Sequence, residues 1–348
     1  MSPGFGKDNR VHKNGELAMR IITLEDHFST VSNTKALPAP ESVSSPYERM
    51  SWARQRSSQL GHDINEALFD LGAGRIKAMD EAGIDVQVMS LTTPGCQGAD
   101  PSDALALARE TNDLLADCIA SYPKRLSGLA ALPTPVPDEA ADELTRAIKV
   151  LGLRGALVTG HTHGNFLDDK KYWPIFEVAQ ANEVPIYLHP GTPHAGAMQS
   201  YFRGYEDLAR PAWGFAMDAS THFLRILFSG AFDNFPRLKI ILGHLGEGLP
   251  FGLVRLNDHT INAARNRGLR KEPVAYFREN LLVTTSGNFC ASALRCTIDV
   301  LGIDNVMFSV DWPYESNKVA VNFLNDAPLT DIEKEKLSAR NAERVLRL

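Results

Sequence analysis

The sequence predicts an α/β chain closed into a (β/α)8 TIM barrel, and three observations carry that expectation. Eight short runs of β-formers, bounded by Gly, Pro or Asp, recur along 348 residues. Amphipathic helical stretches separate them, which favours parallel strands joined by helical crossovers. Polar residues able to bind a metal or move a proton follow several of the runs, and a closed barrel gathers those strand ends at one mouth. An open doubly wound sheet is the alternative.

Residues 21–24 (Ile-Ile-Thr-Leu) are β-branched or apolar and stop at Glu25-Asp26-His27. Residues 66–82 then put Leu68, Leu71, Ile76 and Met79 on one helical face. The second strand is 85–91, and a helix over 102–121 follows behind a Ser/Asp cap. Strand 126–131, helix 138–151, strand 154–158 and helix 172–182 continue the alternation. Strand 185–188 leads into His189, with a helix over 212–227. Strand 239–242 ends just before His244, with a helix over 250–266. Strand 281–285, helix 289–301, strand 306–310 and a last helix over 330–346 complete the eight units. Two connections, 28–65 after strand 1 and 190–211 after strand 5, are long enough to act as lids or binding loops.

Composition is ordinary for a globular chain, at 44% hydrophobic and 22% charged, with a net charge of −6. Without a basic patch there is no electrostatic footprint for nucleic acid. No apolar stretch reaches the length of a membrane span, and no signal peptide opens the chain, so a cytoplasmic protein is expected. Cys96, Cys118, Cys290 and Cys296 lack C-x-x-C spacing and read as reduced thiols. Residues 1–18 read as a disordered extension, leaving 19–348 as one barrel domain.

On an extended segment, Glu25 and His27 project from the same face. His189 follows strand 5, His244 strand 6 and Asp311 strand 8, so all five would meet at the mouth. Carboxylates and imidazoles together suit one divalent ion of the zinc, manganese or iron class with open positions for water or substrate, and more oxygen ligands shift the balance toward manganese or magnesium. Taken singly, each could be a capping Asp or a satisfied core His. Their common address argues against that.

The stretches Leu24-Glu-Asp-His-Phe28, Leu188-His-Pro190, Ile241-Leu-Gly-His-Leu-Gly-Glu-Gly-Leu-Pro250, Thr284-Thr-Ser-Gly-Asn-Phe289 and Phe308-Ser-Val-Asp-Trp-Pro-Tyr-Glu315 together resemble the amidohydrolase superfamily. Within it they are similar to the non-oxidative aromatic acid decarboxylases of the γ-resorcylate and 2,3-dihydroxybenzoate type. The resemblance implies that Glu25, His27, His189 and Asp311 hold one divalent ion, Zn²⁺ or Mn²⁺ with Mg²⁺ as a further candidate, and no organic cofactor. A single ion is favoured because neither His-x-His after strand 1 nor a Lys after strand 4 is present.

The implied reaction is decarboxylation of an ortho-hydroxybenzoate of the dihydroxybenzoate type to the phenol and CO2, by ring protonation followed by C–C cleavage. Asp311 would deliver the proton, with His244 and Glu247 polarising a ring hydroxyl. Arg255 matches a substrate-holding position, and Phe289, Trp312 and Tyr314 would line the pocket. Trp213 reads as a further wall residue, and His161 and His163 as rim or turn positions. Residues 37–45 depart from the γ-resorcylate pattern, which leaves substrate identity open. The partner implied is a small aromatic acid, in a homodimer or homotetramer. A metal-dependent hydrolase of lactonase or hydratase type, acting on an aromatic-degradation intermediate, is the alternative, with a non-catalytic barrel as the third reading.

Overall fold

The structure, a computed structural model, describes residues 19–36 and 55–348. The expectations for residues 1–18 and 37–45 lie outside the described residues. Strand β1 (Ile22–Phe28) pairs in parallel with β2 (Val86–Leu91), and β2 with β3 (Leu126–Gly128). A second parallel ladder runs in order through β4 (Ala130–Ala131), β5 (Ala156–Thr159), β6 (Ile186–His189), β7 (Ile240–Leu242), β8 (Leu281–Thr284) and β9 (Val306–Met307). β3 and β4 are halves of one strand joined at Leu129, whose N–H donates to Met89 O on one side while Ala130 N–H donates to Gly155 O on the other, both at 2.9 Å. Each of the eight sequence runs thus contributes one barrel strand.

First and last strands meet without a regular ladder. His27 N donates to Trp312 O at 2.6 Å, Ser309 Oγ donates to Leu24 O, and Trp312 N donates to the Asp26 carboxylate at 3.3 Å. The irregularity has a local cause. β1 carries a register shift between Thr23 and Asp26, where Glu25 adopts φ 58°. Before this bulge Ile22 and Leu24 point into the barrel, packing with Val88, Leu157, Tyr187 and Ile241. Strict alternation would send Glu25 and His27 outward. The extra residue resets the phase, so both face in and Phe28 joins the outer core.

Several helical boundaries differ from expectation. Residues 66–82 form two helices, Ile64–Phe69 and Ala73–Ala82, because Asp70 turns back on the chain: its carboxylate accepts from Gly72 N at 2.9 Å. A Cβ on Gly74 would lie 1.9 Å from that carboxylate, so any larger residue there would push the Asp70 side chain out of this position. Helices outside the expected stretches include Pro273–Asn280, with Pro at its first turn, and Asn317–Asp326, capped by Ser316. The last strand stops at Met307, since Phe308 N donates instead to Leu337 O at 2.8 Å. Leu337 belongs to a π-helical turn, Lys336–Arg340, inside the expected C-terminal helix. Ala339 of that turn, with Ala342 and Leu346 beyond it, packs under the inner core and closes the floor of the barrel. Among the described residues no helix is long and apolar enough to cross a membrane.

Candidate metal centre and active site

The ends of three strands, β1, β6 and β9, deliver Glu25, His27, His189 and Asp311 to one point, each offering an atom within 4.8 Å of the others. His27 Nε2 is 3.2 Å from Asp311 Oδ1, and His189 Nε2 is 3.3 Å from Glu25 Oε1. Glu25 Oε1, His27 Nε2 and Asp311 Oδ1 are buried yet make no hydrogen bond. Buried polar atoms normally find partners, and three such orphans converging from the first and last strands fit a divalent cation.

The imidazoles are turned to suit one. His189 Nδ1 is 2.8 Å from Pro190 O. A carbonyl only accepts, so Nδ1 carries the proton and Nε2 presents its lone pair inward. His27 directs its Nδ1 toward Ser90 Oγ at 3.4 Å. Room for Glu25 comes from Gly243, where a Cβ would lie 2.7 Å from the carboxylate.

His244 stands beside this set rather than in it. Its Nδ1 is hydrogen-bonded to Glu247 Oε1 at 2.7 Å, and its Nε2 lies 3.9 Å from both Glu25 Oε1 and Asp311 Oδ2. The turn that places it is tight: His244, Leu245, Gly246, Glu247 and Gly248 all have φ between 50° and 81°. A run of left-handed residues that includes three with side chains stores strain of the kind found at functional sites.

Charges are apportioned unequally. Burial raises Glu25 above the usual carboxylate range, partly offset by His244. Burial and the neighbouring His27 hold His189 well below an ordinary histidine, hence neutral. For Asp311, burial pushes upward but His244 and His27 outweigh it, leaving it at about 2. Burial would likewise lower His244, yet Glu247, Glu25 and Asp311 together lift it well above its ordinary value. These opposite shifts favour a charged His244 beside an ionised Asp311.

Other expected residues are divided. Tyr314 places its ring 5.7 Å from that of His27 and its hydroxyl 2.7 Å from Thr92 Oγ1, with burial pushing the phenol up to about 12. Trp312 stacks on His62 at 4.3 Å, at the seam of first and last strands. Phe289 packs on Phe323 of the outer helix Asn317–Asp326 at 5.6 Å, and Arg255 is exposed on the helix Leu249–Asn266. Neither makes a hydrogen bond, ion pair or ring contact to the four converging groups among the described residues. Trp213 is exposed. His161 Nδ1 accepts from Gly164 N, and His163 Nε2 meets Ala99 O, as expected of turn positions.

Three contributors were missed. Tyr187 donates to Glu25 from inside the barrel. His62 covers Trp312, and Arg56 donates to Tyr314 O and to Glu315. For Tyr187 a signal existed, since it precedes His189 by two residues on one strand and so shares its face. His62 and Arg56 come from the long connection after the first strand, whose sequence shows no periodicity to read.

The family model described as amidohydrolase matches residues 62–348. The chain belongs to the amidohydrolase family. Among relatives of this amidohydrolase is the γ-resorcylate decarboxylase of Polaromonas sp., 38% identical over 295 residues that cover 82% of this chain and 90% of that one. A solved structure of the Polaromonas dihydroxybenzoic acid decarboxylase, with bound manganese and the inhibitor 2-nitroresorcinol, superposes with a TM-score of 0.83 at 34% identity, covering 95% of this chain and 98% of that one. The 5-carboxyvanillate decarboxylase of Sphingomonas paucimobilis superposes with a TM-score of 0.86 at 35% identity, covering 95% and 100%.

Proposed function

We propose that this amidohydrolase is a metal-dependent decarboxylase that removes CO2 from an ortho-hydroxybenzoate of the dihydroxybenzoate type. What carries the reading is a division of labour: four inward atoms, three of them without a hydrogen-bond partner, form one set, and a separate His244–Glu247 pair has its imidazole 3.9 Å away. Glu25, His27, His189 and Asp311 would hold one divalent ion, with manganese favoured by the two oxygen donors and by the manganese in the Polaromonas relative. Such an ion supplies Lewis acidity and a template for a neighbouring carboxylate and hydroxyl.

Direct loss of CO2 would leave an aryl carbanion in the ring plane, outside the π system. Protonating the carboxylated carbon first avoids it: the ring gives up aromaticity to an ortho C=O, then the C–C bond breaks and its electron pair restores the ring. Asp311 rests as a carboxylate, so it can deliver a proton only after receiving one. His244 is the store, its imidazolium held by Glu247 and facing Asp311 Oδ2. Having passed its proton to Asp311, the neutral imidazole accepts the proton of the ring hydroxyl as the ortho C=O forms, and returns it to that oxygen when the ring is restored. Tyr314, beside His27, and Trp312 would wall the ring, with Phe289 and Arg255 set further out.

A panel of salicylate, 2,3-, 2,4- and 2,6-dihydroxybenzoate and 5-carboxyvanillate, assayed for CO2 with metal content on the same sample, tests this. At least one ortho-hydroxy acid should turn over, and in deuterated water one deuteron should replace the carboxyl. Acid release from lactones without CO2 from any panel member would instead favour a hydrolase. Turnover of 4-hydroxybenzoate at the rate of its ortho isomers would remove the need for an ortho hydroxyl.

A further inference from the structure

We propose that Tyr187 is a positioning residue that limits Glu25 to a single free oxygen at the metal centre. The inference rests on the metal site proposed above but concerns a residue buried beneath it. Tyr187 is fully buried among the inward side chains of the barrel, where its hydroxyl meets Glu25 Oε2 and lies 2.7 Å from Thr284 Oγ1. Thr284 Oγ1 is in turn 2.9 Å from Ser286 Oγ.

Each hydroxyl carries one proton, which fixes the direction of this chain. As a ligand to a divalent ion Glu25 would be ionised and could only accept, so Tyr187 must donate to it. Having spent its proton, Tyr187 accepts from Thr284, and Thr284 accepts from Ser286. The row therefore ends on Oε2 with every donor pointing toward the centre, and hydrogen bonds aligned in this way strengthen one another.

Its effect is visible in the carboxylate. Oε2 is engaged, whereas Oε1 is buried, has no hydrogen-bond partner and faces His189 Nε2. Gly243 leaves the carboxylate enough space to fit and no more, since a Cβ there would stand 2.7 Å from Oε2 and 3.0 Å from Oε1. Tyr187 thus decides which oxygen is offered. Freed of it, Glu25 could bring both oxygens to one ion and take a position that a chelating substrate requires.

Manganese titration of the metal-free protein, followed by electron paramagnetic resonance of the loaded ion, tests this without relying on turnover. Wild type should bind about one ion per chain; failure at this step overturns the metal site itself and is seen before any variant is made. Tyr187→Phe should weaken binding by about 10- to 100-fold, the range for loss of a group that orients a ligand, and should change the spectrum of the bound ion. Thr284→Val, which cuts the row one step back, should act in the same direction more mildly. Wild-type affinity and spectrum in Tyr187→Phe would overturn the proposal. So would weaker binding with an unchanged spectrum, which would make Tyr187 a structural support alone. If Tyr187→Phe does not fold, as judged by circular dichroism, Thr284→Val decides, and an unchanged spectrum there counts against the idea.

Discussion

His244 is held by Glu247 at 2.7 Å and stands 3.9 Å from Asp311, too far for a hydrogen bond but close enough for a small shift to complete one. If the imidazolium is the proton store, His244→Asn should lower turnover by about 10²-fold or more while metal content stays near normal. Glu247→Gln should act in the same sense but less, because it loosens the ring without removing it. The double variant should cost little beyond His244→Asn, as expected of residues that work as a unit. Elemental analysis of His244→Asn is the critical measurement. Loss of metal there would make His244 a ligand and end the division into four ligands and a pair.

At the scale of elements, the order and approximate span of the strands were legible because parallel barrel strands are buried on both faces and read as short apolar runs. The gathering of Glu25, His27, His189 and Asp311 was legible for the same reason: each stands at a strand end. What could not be read is the bulge. Nothing in Ile-Thr-Leu-Glu-Asp-His announces that Glu25 takes a left-handed conformation, and without it the alternation argument aims Glu25 and His27 at the outer helices. The break at Asp70 escaped because the apolar spacing of Leu68, Leu71 and Ile76 continues across it. Tertiary fit, in both places, overrode a local pattern.

The helix Gly214–Phe228 offers a test of its own. His222, buried within it, accepts from Leu167 N at 2.9 Å and so ties the helix to the connection after β5. Burial, with Arg225 and His161 nearby, lowers it to about 3. An unfolded histidine titrates near 6.5, so below that pH the unfolded chain binds a proton that the folded chain refuses. Stability is therefore lost as pH falls from about 6.5 toward 3, with a slope approaching ~1.4 kcal/mol per pH unit from this group. His222→Gln keeps an acceptor that does not titrate. Denaturant unfolding at pH 6.5 and 4.5 should show a smaller difference for the variant than for wild type, and equal differences would refute this account.

For the whole molecule, an ion bound only by the folded chain adds stability by mass action, about 2.7 kcal/mol at a hundred times its dissociation constant. Manganese should therefore raise the melting temperature of the metal-free protein. His189→Ala, lacking one of four donors, should show little of that rise. A variant that melts higher with manganese to the same extent as wild type would place the stabilising ion elsewhere.

The seam between first and last strands has a consequence for how the chain is made. Glu25 and His27 are synthesised early, yet the backbone partner of His27 is Trp312 and its neighbouring donor set is completed by Asp311. Until that part of the chain emerges from the ribosome, β1 has β2 on one side and an unpaired edge on the other. Exposed edges are where nascent chains stick to one another, and contacts spanning most of a sequence are slow to form. A chain stalled or cleaved shortly before residue 311 should thus be prone to aggregate during synthesis as well as unable to hold its ion, and metal uptake should report arrival of the last strand.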